Sequence, residues 1–105
     1  MPTSFSERVY RKLQEIPAGR ITTYKLLGKT IGTKAYQAIG QALKHNPNAP
    51  QVPCHRVIKS DGTLGGYMGK TTGEALQKKI RLLSQEGIHI KNNKIENFET
   101  QIYKF

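Results

Sequence analysis

Helix-breaking residues divide the first half of this chain into short pieces. Pro17 with Gly19, Gly28 with Gly32, and the run Asn46-Pro47-Asn48-Ala49-Pro50 leave no room for a long helix or a central strand. Within the pieces, apolar residues fall at helical spacing. Phe5, Val9, Leu13 and Ile16 form one stripe, with Arg8, Arg11, Lys12 and Glu15 on other faces. Ser4 or Ser6 suits the start of that helix, and Pro17 with Gly19 stops it. Ile21-Thr22-Thr23 leads into a second helix around Tyr24–Leu27 with Thr23 as its N-cap. Thr33 opens a third helix to about Lys44, with Ala35, Ala38, Ile39, Ala42 and Leu43 on one stripe. Two short helices joined by a tight glycine turn, the second flanked by basic residues, fit a helix-turn-helix. A plain packed helix pair fits the same pattern.

The second half is more mixed. Val57-Ile58-Lys59 and Thr63-Leu64 read as a small hairpin turning at Asp61-Gly62. Gly65-Gly66-Tyr67-Met68-Gly69 is a loop whose glycines let its backbone approach a ligand. Thr71-Thr72-Gly73-Glu74 has capping-box spacing and opens a helix carrying Leu76, Ile80 and Leu83, which Gly87 ends. From Ile88 to Phe105 the pattern alternates in places around Asn92-Asn93, as a weak hairpin or extended edge. The expected fold is mainly α with a small β-hairpin. Residues 1–105 read as a single domain, with a core over about 5–87 and a basic C-terminal tail over 88–105.

Charge narrows the function. Seventeen Lys and Arg against seven Asp and Glu give a net charge of +10 on 105 residues. Such a surplus suits a polyanionic partner, because neutralising phosphates releases condensed counterions; a basic solubilising surface is the plainer alternative. No apolar run has the length of a signal peptide or a membrane span, and no segment couples a basic face to a broad apolar one. The chain therefore reads as intracellular, in the cytoplasm or with the nucleoid or nucleus.

The single cysteine, Cys54, excludes an intramolecular disulfide. Together with three scattered histidines, His45, His55 and His89, it does not match zinc-ligand spacing, so no metal is expected. Its setting is Pro53-Cys54-His55-Arg56-Val57. A thiol is a useful nucleophile only as the thiolate, and this one has a base and a cation next to it in sequence. Pro53 stiffens the approach. The residues alone leave open a reactive thiol, a cysteine hydrolase and a small buried hydrophobe.

Val52-Pro53-Cys54-His55-Arg56-Val57-Ile58 resembles the active-site signature of the O6-alkylguanine-DNA alkyltransferases. Ile16-Pro17-Ala18-Gly19 through Thr23-Tyr24 resembles that family's entry into its helix-turn-helix, and Asn46-Pro47 precedes the cysteine at the family's distance. Gly65-Gly66-Tyr67-Met68-Gly69 resembles its base-closing loop, and Leu82–Gly87 its last catalytic-domain helix. The resemblance spans Phe5 to about Gly87. It implies a winged helix-turn-helix-like alkyltransferase domain that acts as a monomer, without cofactor or membrane, on double-stranded DNA carrying alkylated guanine, with O4-alkylthymine a second possible substrate. The implied catalytic group is Cys54, His55, Glu86 and Asn46. Tyr24, Val57, Tyr67 and Met68 are implied to line the base pocket. Thr23, Lys34, Tyr36, Gln37, Ala38, Gly40, Lys44 and Arg56 are implied to meet DNA. Each has a plainer reading: Tyr24 as a core-edge tyrosine, Asn46 as a turn former, Glu86 as a solvated charge, Tyr67 as a hairpin aromatic.

Three departures separate the chain from the family pattern. Gln37 stands where an arginine normally fills the gap left by the extruded base, and it lacks the cationic planar group. Lys70 stands where glycine is common. The chain also begins at the first catalytic-domain helix. Its size and basic tail resemble the alkyltransferase-like proteins, which bind alkylated DNA without repairing it and replace the cysteine. The leading expectation is irreversible alkyl transfer to Cys54. The alternatives are a non-enzymatic damage-recognition module and, from another class, a winged-helix transcription factor with an incidental cysteine.

Overall fold

The computed structural model describes residues 4–67, 70 and 73–105. Helix α1 spans Phe5–Glu15, and the Ser4 hydroxyl caps it by accepting from the Glu7 amide at 3.1 Å. It stops at Ile16, whose extended backbone is what the following Pro17 demands. The predicted stripe is the buried one: Val9 and Leu13 are fully inaccessible and Ile16 nearly so. Strand β1, Thr22–Thr23, runs directly into helix α2, Tyr24–Ile31. Thr23 is the N-cap, its hydroxyl accepting from the Leu26 amide at 3.1 Å. Helix α3 spans Tyr36–Lys44.

The start of α3 differs from the expectation. The Thr33 hydroxyl accepts from the Ala35 amide, closing a local turn, so the helix begins at Tyr36 without a side-chain cap. The turn between α2 and α3 is tight enough to require a glycine inside α2. A Cβ at Gly28 would sit 2.8 Å from the Thr33 carbonyl oxygen and 2.9 Å from the Tyr36 ring. That close approach fixes how the two helices cross.

After the loop through Pro53, Cys54–Arg56 form one 3-10 turn and Val57–Ile58 form strand β2. β2 pairs in parallel with β1, Thr22 opposite Val57 and Thr23 opposite Ile58. The expected local hairpin is present only as its turn: Gly62 donates to the Lys59 carbonyl and Lys59 to the Thr63 carbonyl, each at 3.0 Å. Helix α4 covers Gly73–Gln85. The expected capping box at Thr71-Thr72 lies outside the described residues, as does Met68.

The last segment is built into the fold. Strands β3, Ile90–Lys91, and β4, Lys94–Ile95, form the expected hairpin, with Asn92 and Asn93 both at positive φ in its turn. Beyond the short helix α5, Phe98–Gln101, Ile102 lies beside Ile21 through bonds from the Ile21 amide to the Gln101 carbonyl and from the Tyr103 amide to the Ile21 carbonyl. Where the sequence suggests a core ending near residue 87, Ile88 and Ile95 join Ile21, Ile58, Leu64 and Leu83 in a second apolar cluster. Val57 faces the first cluster and Ile58 the second, as strand alternation requires. Among the described residues no helix is long and apolar enough to cross a membrane.

Candidate active site and nucleic-acid face

The parallel register of β1 and β2 decides which side chains meet. β1 ends where Tyr24 begins α2, and β2 starts where the Cys54–Arg56 turn ends. Tyr24 and Cys54 are thereby held close enough for charge on one to act on the other. Cys54 is buried at 4% exposure and His55 at 1%. The turn carrying them is closed by the Arg56 amide on the Pro53 carbonyl and the Val57 amide on the Cys54 carbonyl.

His55 Nε2 lies 2.9 Å from Glu86 Oε2. That contact places the ring proton on Nε2 and leaves Nδ1, which has no hydrogen-bond partner among the described residues, as the basic lone pair. Glu86 is held in position by the end of α4. Ile88 donates to the Leu83 carbonyl and Gly87 to the Ser84 carbonyl, both at 3.0 Å, with Gly87 at φ 87°. This is the six-to-one and five-to-two pattern of a helix C-cap, and a side chain at Gly87 would strain it. Arg56 grips the same carboxylate from the other side, Nε to Oε1 at 2.9 Å and Nη2 to Oε2 at 2.6 Å, while its Nη1 donates to the Ile16 carbonyl.

These contacts set the protonation states. Burial pushes the Cys54 thiol up, only partly opposed by the Asn46 side chain and the Lys79 charge. Burial pushes the His55 imidazole down against the opposing pull of Glu86. Burial works against the Glu86 charge too, but hydrogen bonds from Arg56 and His55 outweigh it and hold the carboxyl below its usual value. At neutral pH the resting turn thus carries a neutral thiol and, next in the chain, a neutral imidazole with a fixed anion bonded to its Nε2. Asn46 is buried as well. Its Nδ2 donates to the Val52 carbonyl at 2.7 Å and its Oδ1 accepts from the Asn48 amide at 3.1 Å, which fixes the loop leading to Cys54.

Cys54, His55, Glu86, Asn46, Tyr24, Val57 and Tyr67 therefore gather in one region. Tyr67 does stand in a hairpin, exchanging backbone bonds with Lys70 at 2.7 and 3.0 Å, but it is buried at 4% exposure near Cys54. Two residues expected to meet DNA are placed otherwise. Arg56 has its guanidinium committed to Glu86 and Ile16, and Thr23 is buried with its hydroxyl capping α2. Lys34, Tyr36, Gln37, Ala38 and Lys44 are exposed and Gly40 half-exposed along α3 and its approach. Tyr36, Gln37 and Gly40 form one wall of a groove of about 530 Å³; Tyr24 and Lys25 lie beside them, and Lys59, Ser60, Gly65 and Gly66 complete it.

One residue of this region escapes a reading of the sequence. Lys79, on α4, is 1% exposed, and its ammonium donates to the carbonyls of Val57 at 2.8 Å, Leu64 at 2.6 Å and Gly66 at 3.0 Å. Three N–H groups meet three acceptors. Burial lowers its pKa from the ordinary 10.5 to about 8, which leaves it cationic at neutral pH. The signal available was its place on the Leu76, Ile80, Leu83 stripe, where a charged residue has to be buried.

Residues 4–88 match the family model described as the DNA-binding domain of 6-O-methylguanine DNA methyltransferase. The chain is 50% identical over 66 residues to the methylated-DNA–protein-cysteine methyltransferase of Methanosarcina barkeri, covering 62% of this chain and 42% of that protein. The solved structure of S. pombe Atl1 in complex with damaged DNA containing O6-carboxymethylguanine superposes over 100% of both chains with a TM-score of 0.83 and 29% identity. The structure of Mycobacterium tuberculosis OGT in complex with DNA superposes with a TM-score of 0.72 at 40% identity, over 83% of this chain and 51% of that one. The chain spans about half the length, or less, of the curated relatives it matches first.

Proposed function

The chain belongs to the 6-O-methylguanine DNA methyltransferase family through its DNA-binding domain, and from that premise we propose that it accepts alkyl groups from O6-alkylguanine in duplex DNA on its own Cys54. The observation that carries the reading is the His55–Glu86 contact at 2.9 Å, which leaves Nδ1 of a buried imidazole as a base on the same turn as a buried thiol.

The helix-turn-helix of α2 and α3 binds the duplex, approaching from the minor groove, and the damaged base rotates out of the stack at a cost of a few kcal/mol. His55 Nδ1 takes the Cys54 proton through an intervening water, and Glu86 stabilises the imidazolium that results. The thiolate attacks the alkyl carbon in line. The sulfur–carbon bond forms as the carbon–O6 bond breaks, and its electron pair leaves on guanine. Tyr24 donates its hydroxyl to the base as that charge develops. The Cys54 and Val57 carbonyls each already accept one bond, from the Val57 amide and from Lys79, and each keeps a lone pair for the exocyclic amine of guanine. Tyr67, buried at 4% exposure, bounds the pocket. The thioether is not reversed, so each molecule acts once, as a monomer inside the cell, on the alkylated duplex and without a cofactor.

The test is intact mass after incubation with duplex containing O6-methylguanine. A gain of about one methylene, mapped to Cys54 and saturating at one per chain, supports the transferase. The full-length likeness to Atl1 and the glutamine at position 37 favour a second reading, a recognition module that holds the lesion without chemistry. Preferential lesion binding with no adduct would establish that one.

Gln37 gives a separate prediction. Gln37→Arg is expected to tighten binding to O6-methylguanine duplex roughly fivefold or more, since a charge-assisted hydrogen bond to the orphaned partner base replaces a neutral one. Fluorescence anisotropy reads this directly. Unchanged affinity would mean that position 37 does not occupy the space left by the extruded base.

A further inference from the structure

A second groove, of about 480 Å³, lies between α1, α2 and the last residues of the chain. Its apolar wall is Leu26 with Tyr103 and Phe105, whose rings meet edge to face at 5.2 Å between centroids. Its rim carries Lys12, Lys29 and Lys104, and no Asp or Glu side chain among the described residues lines it. Lys12 pairs with Glu15 at 3.1 Å, an exposed contact one turn along α1 that leaves the rim cationic. Phe105 is 38% exposed, and the aromatic pair is anchored because the Tyr103 amide donates to the Ile21 carbonyl at 2.7 Å.

This groove is continuous with the face already described. Lys29 also lines the next depression, together with Lys25 and Lys34, and Lys25 in turn lines the groove that contains Tyr24 and Gln37. A track of ammonium groups therefore leads from the lesion face to the aromatic pair. Phosphates of an intact duplex would satisfy the lysines alone. The rings would find nothing there, because paired bases stack on one another and present no free face. An apolar aromatic wall under a cationic rim fits unpaired nucleotides, whose bases stack on rings while their phosphates meet ammonium groups.

We propose that the groove formed by Lys12, Leu26, Lys29, Tyr103, Lys104 and Phe105 is a second nucleic-acid contact that takes an unpaired strand continuous with the bound duplex. It extends the reading of the helix-turn-helix as a DNA-binding face and adds a preference for lesions beside single-stranded DNA, as at gaps or frayed ends.

The experiment compares a blunt O6-methylguanine duplex with the same duplex extended by about ten unpaired thymidines on either strand, by anisotropy at fixed salt. One of the two extensions is expected to raise affinity about tenfold, the scale of stacking one or two bases. Phe105→Ala is expected to remove most of that gain and leave blunt-duplex affinity unchanged. Lys12→Glu, on α1 and away from the tail, is expected to remove it too, so the result does not depend on one variant keeping the tail in place. No gain from either extension overturns the proposal and leaves the groove to another polyanion such as an acidic peptide. Equal loss on blunt and extended duplexes also overturns it, because the groove would then serve duplex phosphates. Failure to prefer methylated over plain blunt duplex, by contrast, counts against the lesion-binding reading and not against this groove.

Discussion

Cys54→Ser is expected to abolish alkyl transfer while leaving the affinity for O6-methylguanine duplex within about twofold, since sulfur chemistry is lost and the DNA face is untouched. The thiol at position 54 is buried at 4% exposure, so its thiolate cannot rest on solvent; the Asn46 side chain and the Lys79 charge favour it, and on the proposed mechanism His55 takes its proton. A serine hydroxyl starts far less acidic than a thiol, and the same neutral imidazole cannot ionise it to a useful extent. The fold should tolerate the change. Serine is slightly smaller than cysteine, and its hydroxyl can bond to the Asn46 carboxamide, which limits the cost of burying it to about 1–3 kcal/mol. Intact mass, anisotropy and thermal unfolding on one preparation separate the outcomes. A methyl adduct on the serine variant would place the acceptor elsewhere. A collapse of the melting transition would make Cys54 a packing residue first.

What could be read from the sequence divides by the distance over which it acts. The caps at Ser4 and Thr23, the stop at Pro17 and the Asn92-Asn93 turn depend on a few consecutive residues, and each stands where local chemistry puts it. Local reasoning also supplied Val57–Ile58 as a strand but paired it wrongly, with Thr63-Leu64 nearby. Its parallel partner is Thr22–Thr23 from far earlier in the chain, and nothing in a five-residue pattern encodes a long-range partner. The resemblance singled out the residues that gather around Cys54, and their contacts came from that pairing. Arg56 shows the limit. The resemblance implies that it meets DNA, yet its planar fork matches the Glu86 carboxylate at 2.6 and 2.9 Å and fixes the anion behind His55. The resemblance likewise implies that Thr23 meets DNA, whereas its hydroxyl is taken by the Leu26 amide and the residue is buried.

Lys79 joins stability to chemistry, and Lys79→Met should injure both. The ammonium ties β2 at Val57 to the loop at Leu64 and Gly66, the two segments that flank Cys54 and Tyr67. Methionine fills the space of the stem but leaves three carbonyls without that donor, and each buried acceptor left unsatisfied costs about 1–3 kcal/mol. Even partial relaxation leaves a loss of several kcal/mol, large beside the roughly 5–15 kcal/mol that keeps a domain folded. Its charge also opposes the burial that holds the Cys54 thiol up, so its removal raises that thiol further. The expected result is a lower urea midpoint together with slower iodoacetamide alkylation of Cys54, the alkylation profile moving to higher pH. The lysine also carries a pH signature, opposite in sign to that of the raised Cys54 thiol, which acts only above its ordinary 9.0. The lysine's pKa is about 8 when folded against an ordinary 10.5, so between those values the unfolded chain binds more protons and stability rises with pH. Between about 8 and 9.0 that rise should be present in the native chain and missing from the methionine variant. If the variant kept full stability and its thiol reacted as before, the three carbonyls would have found other partners, and Lys79 would be filling space where it is here assigned to hold the site.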